Sequence, residues 1–225
     1  MGESPRVRVG LIHATPLAVE PVATAFAAHW PAAVPMNILD DALTRDRADD
    51  PLPPAAVIER ILSLAAYAQL GGCAGILFTC SAFGPAIESA AARANVPVLK
   101  PNEAMFRDAI AKGHRLGLIA TFAMALPTLV SEFEEEKRRL GSNAELRSVA
   151  VSGAMEALSA RDVQRHDDLI AATAVELTDC DALMLAQFSM ARAADSVRQV
   201  VKCPVLTSPV SAVQMLRRLV DQSGS

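Results

Sequence analysis

Aromatic residues make up only 4% of the 225-residue sequence, with one Trp and one Tyr, so its core must be built from Ala, Val, Leu and Ile. That scarcity argues against an aromatic-lined binding groove. Positive charge is not in excess either. The 21 Lys and Arg face 25 Asp and Glu, giving a formal net charge of −4, and no basic stretch is interleaved with aromatics. A nucleic-acid-binding face is therefore not expected. No apolar run reaches membrane-spanning length before a charge or turn residue interrupts it. The polar start, Met1 to Arg8, lacks the layout of a signal peptide, so a cytoplasmic protein with no membrane partner is expected. The cysteines Cys73, Cys80, Cys180 and Cys203 show no C-x-x-C spacing, which fits free thiols in a reducing compartment. His29, His114 and His166 are scattered without metal-ligand spacing, so no metal site is expected. Gly71-Gly72 and Gly84 form no phosphate-binding loop, so nucleotide binding gains no support.

What is present is 52% hydrophobic residue, arranged in strand-like runs that alternate with helical patterns. Strands are predicted over 6–13, 34–39, 75–79, 96–99, 115–120, 146–151, 182–185 and 205–206. Helices are predicted over 16–30, 53–69, 84–95, 190–201 and 209–220, with a long one carrying the charge run Glu132 to Arg139. Another is predicted from a Ser159 cap to about Thr178. The charged run reads as a solvated helix face with i,i+4 pairs. Such alternation is the signature of βαβ units and parallel sheets, hence an α/β fold. The polar stretch Asp40 to Pro54 reads either as a mobile lid or as a plain surface connection.

The chain repeats itself. RVGLI at Arg8–Ile12 lies over RLGLI at Arg115–Ile119 at an offset of 107 residues. The same offset carries Cys73 to Cys180, Ser89 to Ser196, and Pro97-Val98-Leu99 to Pro204-Val205-Leu206. One ungapped offset joining several strand segments in order points to gene duplication. The expected architecture is two pseudo-twofold-related lobes, each a parallel sheet flanked by helices, with a ligand cleft between them at the carboxyl ends of the strands. The first lobe is expected over 1–103, with the closing helix 208–225 packing on it, and the second over 104–207.

At that offset Cys80 in LFTCSAFG pairs with Gln187 in MLAQFSMA, each following a strand and preceding a helix. Backbone N–H groups in such a turn favour a thiolate or a bound carboxylate, and Thr79 and Ser81 add hydroxyls on either side. The alternative for Cys80 is a buried structural cysteine, the commonest fate of a free thiol. His13 and Thr15 follow the first strand, where His13 either acts on a proton or merely bonds a neighbouring loop. Thr121 holds the equivalent place in the second half, and Ser189 begins its helix; each either binds a substrate carboxylate or caps a turn. Asn102 and Glu103 follow the fourth strand. Cys73, Cys180 and Cys203 precede their strands and read as core.

The segment ILFTCSAFGPAIESAAARANVPVLKPNEA resembles the hydantoin racemase pattern of strand, cysteine, turn, helix, Pro-Val and a Glu-Ala that opens the next helix. LMLAQFSMARAAD resembles that family's second-cysteine segment, Leu-Gly-Cys-Ala-Gly-Met-Ala, and Met190-Ala191 keeps its ending. The likeness to the aspartate/glutamate/hydantoin racemase superfamily covers nearly the whole chain. It implies an enzyme without a cofactor, acting on a small carboxylate or hydantoin, in which two cysteines flank the α-carbon. One removes a proton and the other returns it on the opposite face. It also implies that Cys80 matches the first cysteine and that Glu103 matches the Glu of a Gly-Glu-Ala motif. Gln187 replaces the second cysteine, and an amide does not exchange a proton near neutral pH. Arylmalonate decarboxylase-like members of the superfamily also keep one cysteine, but in the second half. The expected reading is thus a racemase or isomerase with Cys80 as its single acid/base and Gln187 bonding the enolate. The alternatives are a decarboxylase and a non-catalytic binder of small acids. A homodimer is the default expectation.

Overall fold

The structure, a computed structural model, describes residues 7–47 and 54–223. It divides into two compact units, one of residues 1–101 with 212–225 and the other of residues 102–211.

Unit 1 runs β1 (Val7–His13), α1 (Val19–His29), β2 (Ala33–Leu39), α2 (Leu43–Asp46), α3 (Ala55–Leu70), β3 (Gly75–Phe78), α4 (Gly84–Arg93) and β4 (Val98–Leu99). Unit 2 begins with α5 (Glu103–Ile110) and continues through β5 (Arg115–Ala120), α6 (Leu126–Arg139), β6 (Glu145–Ala150), α7 (Ala154–Ser159), α8 (Val163–Ala174), β7 (Ala182–Leu185), α9 (Ala194–Val200) and β8 (Val205–Thr207). The last helix, α10 (Ser208–Ser223), starts in unit 2 and continues into unit 1. Each unit holds a four-stranded parallel sheet, ordered β2-β1-β3-β4 and β6-β5-β7-β8. The central strands are apolar on both faces: all of β3 and all of β7 are buried. Helices must therefore cover both sides, which is why the strand segments read as continuous Val/Ile/Leu runs.

The repeat is visible in the hydrogen-bond register. Leu11 pairs with Leu77 as Leu118 pairs with Met184, and Ile76 pairs with Val98 as Leu183 pairs with Val205. The outer strand departs from it. Arg8 faces Val34 whereas Arg115 faces Glu145, so β6 lies 111 rather than 107 residues from its counterpart, the longer α6 connection taking up the difference. Repeat-related glycines serve close packing. A Cβ on Gly10 would sit 2.8 Å from the Cβ of Ala68 and 3.5 Å from the sulfur of Cys73; one on Gly117 would sit 3.2 Å from the sulfur of Cys180. Cys73 and Cys180 thus fill matching core positions against a bare backbone, each inside its unit's apolar cluster.

Two helices cover the sheet that their preceding strand does not belong to. α5 follows β4 in the chain, yet Met105, Phe106 and Ala109 pack with Leu116, Leu118 and Met184 in unit 2. Phe106 also meets Phe133 edge-on, with ring centroids 5.7 Å apart. In return α10 lies on β3, so closely that a Cβ on Gly75 would come within 2.9 Å of Val220 and 3.0 Å of Leu216.

Three sequence expectations are corrected. The predicted helix from Ser159 is two helices. Ser159 ends α7, its hydroxyl donating to the Met155 carbonyl, and Arg161 takes a left-handed φ of 62° that stops the helix. The cap is Asp162, whose carboxylate accepts the Arg165 N–H at 3.1 Å. The charged run of α6 is not wholly solvated. Glu134 and Glu135 pair with Lys137 and Arg139, but Glu136 is 1% exposed, buried against the guanidinium of Arg107 at 2.9 Å and of Arg139 at 3.0 Å. Third, the stretch 40–54 contains the short helix α2, which Arg60 of α3 ties down through Asp40 and Asp46. Residues 48–53 of that stretch, and Arg6 at the start of the first predicted strand, lie outside the described residues. No helix among the described residues is long and apolar enough to cross a membrane.

Candidate functional site

Residues that follow a strand in a parallel sheet gather at its carboxyl edge, where ligands of open α/β sheets bind. In unit 1 that edge carries His13, Thr15, Thr79, Cys80 and Ser81. Cys80 leaves β3 in an extended conformation (φ −126°, ψ 123°) and caps the 3₁₀ turn Ser81–Phe83 that leads into α4. It is partly exposed and packs against the unit's apolar cluster. The other cysteines differ from it in place. Cys73, Cys180 and Cys203 precede their strands. Burial pushes all three thiols up, and the Asp179 carboxylate adds to the effect at Cys180.

His13 is fully buried, and both its ring nitrogens are occupied. Nε2 lies 2.9 Å from Asn37 Oδ1 on β2, and Nδ1 lies 2.9 Å from the Thr79 hydroxyl. Burial lowers its pKa below the usual imidazole value, against a smaller upward pull from the Asn37 bond. A neutral ring with Nε2–H donating to Asn37 and Nδ1 accepting from Thr79 satisfies both ring nitrogens, and the same hydroxyl stands 3.4 Å from the Ile12 carbonyl. Asn37 carries no local signal in the sequence, since its partner lies 24 residues away. Thr15 caps the 3₁₀ turn after β1, accepting the Leu17 N–H at 3.4 Å. Ser81 is partly exposed beside Cys80.

In unit 2 the corresponding edge carries Thr121, Gln187 and Ser189. Gln187 Oε1 accepts the Thr121 backbone N–H at 3.0 Å and stands 3.5 Å from its hydroxyl. A backbone N–H can only donate, so the amide oxygen must face it, and the Nε2 donors are left without a partner among the described residues. Ser189 is partly exposed within the 3₁₀ segment Phe188–Ala193. Asn102 is buried at the start of α5, its Oδ1 accepting the Ser208 hydroxyl at 2.6 Å, with its Nδ2 buried and without a partner among the described residues. Glu103 pairs with Arg107 one turn on. Among the described residues no group of three His, Cys, Asp or Glu side chains could hold a metal ion.

The edge of each sheet thus presents one chemically distinct side chain at the repeat position, a thiol in unit 1 and an amide in unit 2. The sequence model of the Asp/Glu/hydantoin racemase family matches residues 12–216. The chain belongs to that family. Solved structures carry the same fold. A glutamate racemase isoform of Bacillus anthracis superposes with a TM-score of 0.72 at 16% identity, over 98% of this chain and 84% of its own. An allantoin racemase of Klebsiella pneumoniae gives 0.69 at 19% identity, over 96% and 88%. An arylmalonate decarboxylase gives 0.66 at 20% identity, over 95% and 92%. No curated protein matches the sequence of this chain. Both racemases and a decarboxylase therefore share the architecture of this member of the racemase family, and the chemistry must be argued from its own side chains.

Proposed function

We propose that the chain catalyses cofactor-independent proton transfer at a carbon alpha to a carboxylate or hydantoin carbonyl, with Cys80 as its single acid/base. The observation that carries this reading is the contrast between Cys80 and Gln187 at one repeat position. Cys80 is the cysteine that follows its strand and retains solvent access. As thiolate it takes the α-proton, and the C–H electron pair passes into the enolate. As thiol it returns a proton to that carbon and regenerates the thiolate. Gln187 carries no exchangeable proton of suitable acidity, but its carbonyl is anchored by Thr121 and its two amide N–H groups are available to an enolate oxygen. The hydroxyls of Ser81, Thr121 and Ser189 supply further donors for the carboxylate. Inversion then needs water to serve the face opposite Cys80.

Decarboxylation is the second reading, favoured by the same Gln187. Loss of carbon dioxide from a malonate-type acid leaves its bonding electron pair as the enolate, and one thiol suffices to protonate it. Small amino acids, hydantoins and substituted malonates incubated with the protein in deuterated water separate the two. Incorporation of α-deuterium without carbon dioxide release supports the first, and release followed by a single deuteration supports the second. Both require that Cys80→Ala abolish turnover; unchanged turnover in that variant defeats both.

A further inference from the structure

We propose that Asn37 is a positioning residue for Cys80, acting through a buried hydrogen-bond relay that runs from Asn37 to His13 to Thr79; this rests on the reading of Cys80 as the reactive thiol. Three observations carry it. The relay is continuous, with both ring nitrogens at 2.9 Å from their partners, and it ends on the residue bonded to Cys80 in the chain. Thr79 is held at a second point by its backbone N–H, which donates to the Ile12 carbonyl at 3.0 Å, and its hydroxyl stands 2.9 Å from the ring nitrogen and 3.4 Å from that same carbonyl, so the ring is its nearer partner. His13 is fully buried and therefore held neutral, and Asn37 decides which nitrogen keeps the proton. With that proton on Nε2, Nδ1 can only accept, and it is a nearer acceptor for the Thr79 hydroxyl than the Ile12 carbonyl, at 2.9 Å against 3.4 Å.

The second unit supplies the control. At the offset of 107, His13 corresponds to Ala120 and Thr79 to Ala186. The strand ends that carry the amide thus have no such relay, and Gln187 bonds back to Thr121 itself. A polar relay kept under the thiol and replaced by two alanines under the amide is not a requirement of the fold, because both sheets form the same ladder. Asn37 is itself exposed. A polar strand residue on the surface has no packing role to lose, which makes it the clean point at which to cut the chain of bonds.

The test uses the full-length protein and needs no substrate. Nitrogen-15 spectra of the imidazoles should show His13 in wild type as the Nε2–H tautomer, and Asn37→Ala should leave it a mixture of tautomers. Alkylation by iodoacetamide at neutral pH, mapped to Cys80 by mass spectrometry, should slow or accelerate in Asn37→Ala by roughly 3- to 10-fold, the span of one hydrogen bond's net effect. Thr79→Val should shift the rate in the same sense, and Thr79→Ser should restore it. An Nδ1–H tautomer in wild type, or a Cys80 rate unchanged in a folded Asn37→Ala protein, overturns the relay. Should Thr79→Val fail to fold, Asn37→Ala still decides. A protein with these signatures that exchanges no α-proton rejects the proposed reaction and keeps the relay.

Discussion

A glutamine and a cysteine stand at one repeat position, and under the proposed reaction they divide the labour that a symmetric pair of thiols would share. Gln187 has one half of its amide anchored and the other half without a partner among the described residues, the arrangement expected of a fixed hydrogen-bond donor. Gln187→Ala should therefore lower kcat by roughly 10²- to 10³-fold, the usual loss when one oxyanion donor is removed, with a smaller change in KM. Steady-state kinetics on whichever acid the exchange screen identifies will check this. His13 makes a prediction about pH. Its folded-state pKa lies below the ordinary value of 6.5, so on acidification the unfolded chain takes up the proton first. Its contribution to stability is complete above pH 6.5 and is lost as pH falls from there through the lowered folded-state value. The bonded neighbours of the ring, Asn37 and Thr79, do not titrate, and the Asp40 carboxylate beyond its backbone is held by Arg60. Urea midpoints measured at about pH 7.5 and about pH 5.5 should fall further apart in wild type than in His13→Asn. These residue-level arrangements were only half legible in the sequence. Cys80 and Gln187 stood out because a repeat set them against each other. Asn37 and the burial of Glu136 did not, because each depends on a partner 24 or 29 residues away that no local pattern announces.

The elements were easier to read, for a physical reason. A strand buried on both faces must be apolar along its length, and β3 and β7 show it. Ends were read less well. Ser159 and Asp162 both suit an N-cap, and the choice between them is made by the left-handed backbone of Arg161, which sequence does not display. Asp162→Ala should thus cost about 1 kcal/mol of stability, and Ser159→Ala close to nothing, by chemical denaturation. Helix α3 approaches β1 at Gly10 more closely than any side chain there allows. Gly10→Ala should destabilise the fold by about 1–3 kcal/mol, because the clash is with the Cβ of Ala68, which has no rotamer to move. Thermal denaturation of the variant will show it.

At the scale of the molecule, the duplication was legible and the destination of two helices was only partly so. The closing helix was expected on the first lobe and residues from 104 on in the second, but nothing in the sequence of α5 alone says that Phe106 will seat against Phe133. A chain ending at Ser211 loses the residues of α10 that lie against β3, including Leu216 and Val220. Its unit 1 should lose cooperative unfolding and bind hydrophobic dyes, while unit 2, which keeps α5, retains its helical signal; paired circular dichroism and dye-binding curves will tell.

Because α5 belongs to the later sheet and most of α10 to the earlier one, a polypeptide of half the present length would have left one flank of its own sheet bare. In a chain of that length the flank would be covered only if a second copy lent its last helix in exchange.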